Sequence, residues 1–178
     1  MNLPNKLTLL RIILVPVFIV LYLTGHYYIA TVVFIVASLT DMLDGKIARR
    51  DNLVTNFGKI MDPLADKILV YAAFVLLVED GSMPGWMLIV ILAREFLVAG
   101  LRTVAASEGI VIAADMSGKI KTVLQMIAVP LLLIRNWPFF YIGVPMDKIM
   151  LWACLVMTVY SGCEYVIKNR QVISKGGL

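Results

Sequence analysis

Residues 41–66 read DMLDGKIARRDNLVTNFGKIMDPLAD, a stretch with four aspartates set between two strongly apolar runs. Asp41 and Asp44 close the run ATVVFIVASLT, while Asp62 and Asp66 open the run PLADKILVYAAFVLLV. Spacings of three and four place each pair on one helix face. Two helices joined by a short turn would then bring four carboxylates to one cleft. Such a cluster repels itself unless cations lie within it, and all-oxygen ligation suits Mg²⁺ or Mn²⁺.

The composition sets the frame for that stretch. The chain has 178 residues, of which 61% are hydrophobic and 16% charged, with a mean hydropathy of +0.90. A soluble globular domain carries about 25% charged residues, so an all-α integral membrane protein is expected. The length suits one domain, residues 1–178, with six transmembrane helices at about 20 residues each. A nucleic-acid partner is not expected, because no basic stripe lies outside the juxtamembrane positions. Cys154 and Cys163 both fall in the last apolar segment and read as packing residues rather than a disulfide.

Residues 1–8 read as an interfacial lead-in, with Pro4 and Asn5 interrupting any helix. Spans are expected over about 7–24, 28–50, 57–78, 86–106, 118–134 and 149–167. The first is expected to stay uncleaved, since no small-residue cleavage site follows Leu23. The runs 79–85 and 135–148 carry turn and aromatic residues and read as loops. If the N-terminus is cytoplasmic, fourteen of the sixteen Lys and Arg residues lie on or towards that side, leaving Arg135 and Lys148 opposite. That asymmetry orients the chain in a plasma membrane, with both termini and a polar cleft facing the cytoplasm.

The aspartate stretch is D-x-x-D-G-x-x-A-R, eight residues, then G-x-x-x-D-x-x-x-D. This is similar to the signature of the CDP-alcohol phosphotransferase family. Members transfer a phosphatidyl or related group from a CDP-linked donor to an alcohol and release CMP. The resemblance implies metal binding by Asp41, Asp44 and Asp62. It implies a general base at Asp66, with a share in the second of two Mg²⁺ or Mn²⁺ sites. It also implies a homodimer. Gly45 and Gly58 would let a nucleotide approach the backbone closely. Ala48 keeps that face shallow, and Arg49 can offer a planar fork to phosphate. Arg49 also reads as a topology determinant, and the aspartates could instead pair with Lys46 or Lys67.

A second cluster lies further along. Arg94 and Glu95 sit in the fourth span, Arg102 two turns on, and Lys119 and Lys121 open the fifth. Unpaired cations at membrane depth are costly and face a cavity or partner. Glu95 and Arg102 are seven apart, near one helix face, so that one is expected to orient the other. The cluster suits a phosphate-bearing acceptor, although anionic-lipid attraction also accounts for Lys119 and Lys121. The segments REFLVAGLR and GKIKT resemble the branch of the family that makes phosphatidylglycerophosphate. That likeness implies CDP-diacylglycerol as donor and sn-glycerol 3-phosphate as acceptor. The opening NLPNKLTLLR resembles the same branch; Asn5 and Thr8 would reach the nucleotide, or act as helix caps.

Serine, inositol phosphate and phosphatidylglycerol are the rival acceptors, and an uncharged one leaves the Arg/Lys cluster unexplained. A divalent-cation transporter is the rival class. Transport predicts acidic groups near the midplane, whereas these carboxylates are expected at one face.

Overall fold

The computed structural model describes residues 3–50, 56–107, 109, 110, 112 and 115–170; for 3–8, 41–50 and 56–66 it describes the backbone alone. Six α-helices and no strand are present among the described residues. They are α1 (Leu3–Leu23), α2 (Tyr27–Arg50), α3 (Asn56–Glu79), α4 (Gly85–Ser107), α5 (Met116–Leu133) and α6 (Met146–Lys168). At 1.5 Å per residue these are about 27 to 36 Å long, comparable with a hydrocarbon core of about 30 Å.

The helices begin and end close to the expected spans, with one correction. Residues 1–8 are not wholly a lead-in, because α1 already starts at Leu3 and includes Pro4 and Asn5. Proline is tolerated in a first helical turn, where its missing N–H would have had no partner.

Glycines in the left-handed region stop two of the helices. Gly25, with φ +82°, follows α1, and His26 N–H then reaches back to the Leu21 carbonyl at 2.9 Å. Gly109, with φ +74°, does the same after α4, where Ile110 N–H bonds the Ala105 carbonyl at 2.9 Å. A side chain is disfavoured in that backbone region, so glycine ends the helix and satisfies its last carbonyls. Between α5 and α6 the expected loop holds a short 3-10 turn at Phe139–Ile142. Asn136 pins that connection, donating from Nδ2 to the Val144 carbonyl at 2.8 Å and accepting at Oδ1 from Asp147 N–H at 3.2 Å.

The bundle packs as two groups: α1 lies on α2 and α3, α6 lies on α5 and α4, and α2 meets α5. Along its axis it is polarised. At the end carrying the α1–α2 and α3–α4 turns, an apolar core forms from Phe18, Phe34, Phe74, Leu77, Met83, Met87, Leu132, Leu133 and Leu151, all nearly inaccessible. Truncating Phe34 or Phe74 to alanine there would cost roughly 3–5 kcal/mol through the void left behind. Towards the other end the same helices turn polar. Lys67 precedes the apolar part of α3, and Ser117, Lys121 and Gln125 precede that of α5. Arg94 to Arg102 follow the apolar part of α4, and Thr158 and Ser161 follow that of α6.

The outside is the reverse of a soluble surface. Leu10, Ile13, Val20, Ile29, Val32, Val36, Ile89, Phe96, Val123 and Val156 are all exposed. By length and composition α5 and α6 can cross a membrane. In α4 every 18-residue stretch holds Arg94, Glu95 and Arg102, and it is these three that lower its apolar character. Cys154 is buried and Cys163 exposed, both as free thiols.

Candidate active site

At the polar end a cavity of about 730 Å³ opens between α3, α4, α5 and α6. Lys67 comes from α3, and Arg94, Glu95 and Arg102 come from α4. Asp115 at the start of α5, then Ser117, Gly118 and Lys119, form another wall, and α6 adds Ser161 and Tyr165. Arg94 and Arg102 are two turns apart on one helix, about 12 Å along its axis, and their long side chains reach the same space.

Glu95 organises the charges. Its Oε1 accepts from the Lys121 ammonium and lies 3.2 Å from Arg94 Nη1, while Oε2 lies 3.9 Å from Lys67 Nζ. Only 4% of the Lys121 side chain and 13% of those of Arg94 and Glu95 are exposed. A carboxylate in so enclosed a place is tolerable because cations from three helices surround it. At the rim Asp115 Oδ1 is 3.2 Å from Lys168 Nζ. Against the two carboxylates of the described walls, Glu95 and Asp115, stand Lys67, Arg94, Arg102 and Lys119, an excess of positive charge. Lys121 also bears on Glu95, and Lys168 is divided between Asp115 and Glu164. A positively charged cavity at this depth favours an anionic ligand.

The expected pairing of Glu95 with Arg102 is not what forms. Seven residues separate them by about 10.5 Å of axial rise, whereas Lys121 arrives from the neighbouring helix. Arg102 instead donates from Nε to Tyr165 Oη at 3.2 Å, with its guanidinium carbon 5.6 Å from the Tyr165 ring centroid. Cation–π stacking and the hydrogen bond together fix the plane of that guanidinium.

The structure thus brings Arg94, Arg102 and Lys119 to one cavity. Lys121 lies behind the wall, turned onto Glu95. Asp41, Asp44, Gly45, Ala48 and Arg49 lie on the C-terminal part of α2, and Gly58, Asp62 and Asp66 on the N-terminal part of α3. The arrangement of their side chains, and of those of Asn5 and Thr8 on α1, falls outside the described residues. Lys67 nevertheless follows Asp66 directly in α3 and lines the cavity, so the aspartate segment adjoins it along the chain. Among the described residues no three His, Cys, Asp or Glu side chains gather as a metal site. The donor chemistry of the aspartate stretch, where four carboxylates recur at helical spacing, fits a hard divalent cation.

Sequence reasoning missed Tyr165, Asp115, Ser161 and the lining role of Lys67. Tyr165 lies in the last turn of an apolar helix before a basic tail, where an aromatic residue reads as an interfacial anchor. Nothing in its own neighbourhood points to a partner 63 residues away.

The profile of the CDP-alcohol phosphatidyltransferase family matches residues 1–160. The chain is 47% identical to the CDP-diacylglycerol–glycerol-3-phosphate 3-phosphatidyltransferase of Bacillus subtilis (strain 168), covering 97% of each chain. It is 38% identical to the protein of the same name from Rickettsia typhi, over 92% of this chain and 94% of that one. The counterpart from Shigella flexneri serotype 5b is 36% identical over 95% of each. A family profile matched over residues 1–160 and likeness over nearly the whole chain agree with the aspartate signature: this protein belongs to the CDP-alcohol phosphatidyltransferase family.

Proposed function

We propose that this chain transfers the phosphatidyl group of CDP-diacylglycerol to sn-glycerol 3-phosphate, forming phosphatidylglycerophosphate and releasing CMP. The observation that carries the reading is the cationic cavity, with Arg94, Arg102 and Lys119 on its walls beside Lys67, the residue that follows Asp66 in α3. A phosphate monoester brings the charge such a cavity lacks. Serine and other acceptors without net negative charge would leave it uncompensated. The names of the relatives from Bacillus, Rickettsia and Shigella point to the same pair of substrates.

In the reaction, the acceptor phosphate binds Arg94, Arg102 and Lys119, which orients its free primary hydroxyl. Asp66 takes the hydroxyl proton as the oxygen attacks the phosphorus that bears diacylglycerol. A new P–O bond forms, the pyrophosphate P–O bond breaks, and the electron pair leaves with CMP. Gly45, Ala48, Gly58 and Arg49, with Asn5 and Thr8, hold the nucleotide. Asp41, Asp44, Asp62 and Asp66 would hold two Mg²⁺ or Mn²⁺ ions, which when bound offset the pyrophosphate charge and that of the leaving group. No Ser, Cys or His is assigned as a nucleophile, and transfer is direct.

The membrane setting follows the same logic. All six helices span a plasma membrane, with both termini and the cavity on the cytoplasmic side, as the Lys/Arg asymmetry directs. The exposed apolar side chains supply a lipid-facing surface. The working unit is a homodimer. The test is product identity: purified protein in detergent, given CDP-diacylglycerol, Mg²⁺ and one acceptor at a time, should yield phosphatidylglycerophosphate. Product with serine or phosphatidylglycerol instead would refute the acceptor assignment.

A further inference from the structure

We infer that one turn of α6, residues 162–165, sets the selectivity for a phosphate-bearing acceptor by aiming the two arginines of α4. The inference rests on the reading of the cavity as the acceptor site. The helix α6 puts no cation on the cavity wall; it contributes Ser161 and Tyr165. Yet it touches both guanidinium-bearing side chains at positions three residues apart, and so on one face.

The Arg102 contact is an acceptor and a platform. Tyr165 is 2% exposed, its hydroxyl accepts from Arg102 Nε at 3.2 Å, and its ring lies under the guanidinium. With Nε taken, the two terminal nitrogens are the groups left to form a fork on a ligand.

The Arg94 contact is a slot. A Cβ at Gly162 would come within 2.9 Å of Arg94 Cγ, closer than real Cβ atoms approach a neighbour. The stem of Arg94 therefore passes where only glycine leaves room. On the far side a Cβ at Gly118 of α5 would lie 3.4 Å from Arg94 Nη2, at ordinary contact distance, so α5 borders the guanidinium as well. Arg94 Nη1 is engaged by Glu95, while Nε is buried without a hydrogen-bond partner. Two arginines aimed by one helical turn make a preset receptor for a phosphate monoester dianion. An uncharged alcohol gains nothing from that arrangement.

The test is steady-state kinetics of the purified full-length chain, with Tyr165→Phe, Gly162→Ala, Arg94→Ala and Arg102→Ala beside wild type. Tyr165→Phe keeps the ring and loses the acceptor oxygen. It should raise KM for glycerol 3-phosphate about tenfold, the worth of a hydrogen bond to a charged group, with kcat within about twofold. KM for CDP-diacylglycerol should not move. Gly162→Ala should act in the same direction; should it fail to fold, Tyr165→Phe alone decides. A wild-type KM in both α6 variants, or a loss confined to kcat, would overturn the inference while the arginine variants still show raised KM. Unchanged KM in Arg94→Ala and Arg102→Ala as well would overturn the reading of the cavity itself, and this inference with it.

Discussion

The Lys121 ammonium on α5 donates to the Glu95 carboxylate on α4 at a depth where 4% of the lysine side chain is exposed. This pair cancels one positive charge of the cluster and leaves Arg94, Arg102 and Lys119 to face the cavity. It also ties α4 to α5, with Lys67 of α3 close by at 3.9 Å. Breaking one half of an enclosed pair strands the other. Glu95→Ala should therefore destabilise the protein by about 3 kcal/mol, read as a lower Tm in detergent. The double variant Glu95→Ala/Lys121→Met should recover part of the loss, because Lys121 is then no longer stranded while Arg94, which also pairs with Glu95, still lacks its partner. A double variant no more stable than Glu95→Ala would show that the pair has another role.

Arg102 and Lys119 should separate kinetically. Arg102 offers a fork whose plane is fixed by Tyr165, so Arg102→Ala should lower kcat/KM for glycerol 3-phosphate roughly 100-fold. Lys119 is an exposed point charge at the cavity mouth, and Lys119→Ala should cost about tenfold or less. The effect of Lys119→Ala should shrink further as salt is raised, since an exposed charge is screened. Equal, salt-independent losses at the two positions would contradict this ranking.

Asp80, in the turn between α3 and α4, gives the far end of the bundle a pH dependence. Burial alone would raise its pKa, but hydrogen bonds from Tyr22 and Ser82 and the nearby Arg135 outweigh it and hold the carboxyl below its ordinary value. The ionised form is thus favoured in the folded state. Its stabilising contribution is present above the ordinary carboxylate pKa of about 3.9 and is lost as pH falls through the lower folded value. The Tm gap between wild type and Asp80→Asn should be steady near neutrality and close below about pH 4. A gap that widens on acidification would reverse the assigned direction.

Turnover should need a divalent cation. Chelation of purified protein should abolish CMP release, and Mg²⁺ or Mn²⁺ should restore it, because the assigned donors are all carboxylate oxygens. Asp41→Asn and Asp62→Asn should each raise the Mg²⁺ concentration needed for half-maximal rate. Full activity in excess chelator would remove the metal from the mechanism.

The helices were legible because hydropathy and turn residues act locally: Gly25 and Gly109 end α1 and α4 through their own backbone conformations. Pro4 misled, since a proline that breaks a helix interior is harmless in a first turn. Arg94, Arg102 and Lys119 were legible as a cluster because cations in apolar helices are costly wherever they occur. Which group faces which was not. Spacing within α4 suggested Glu95 beside Arg102, but the partner that arrives is Lys121, 26 residues away on another helix. Tyr165 and Gly162 were invisible for a related reason. Their significance lies in what α4 places against them, and no periodicity along α6 encodes that.

The measurement that tests the account most directly is CMP release by purified wild-type protein and Asp66→Asn, each with CDP-diacylglycerol and Mg²⁺, with and without glycerol 3-phosphate. The account predicts release by wild type only when glycerol 3-phosphate is present, and none by a folded Asp66→Asn. Release without an acceptor, release sustained equally by an uncharged alcohol, or undiminished turnover by Asp66→Asn would contradict it.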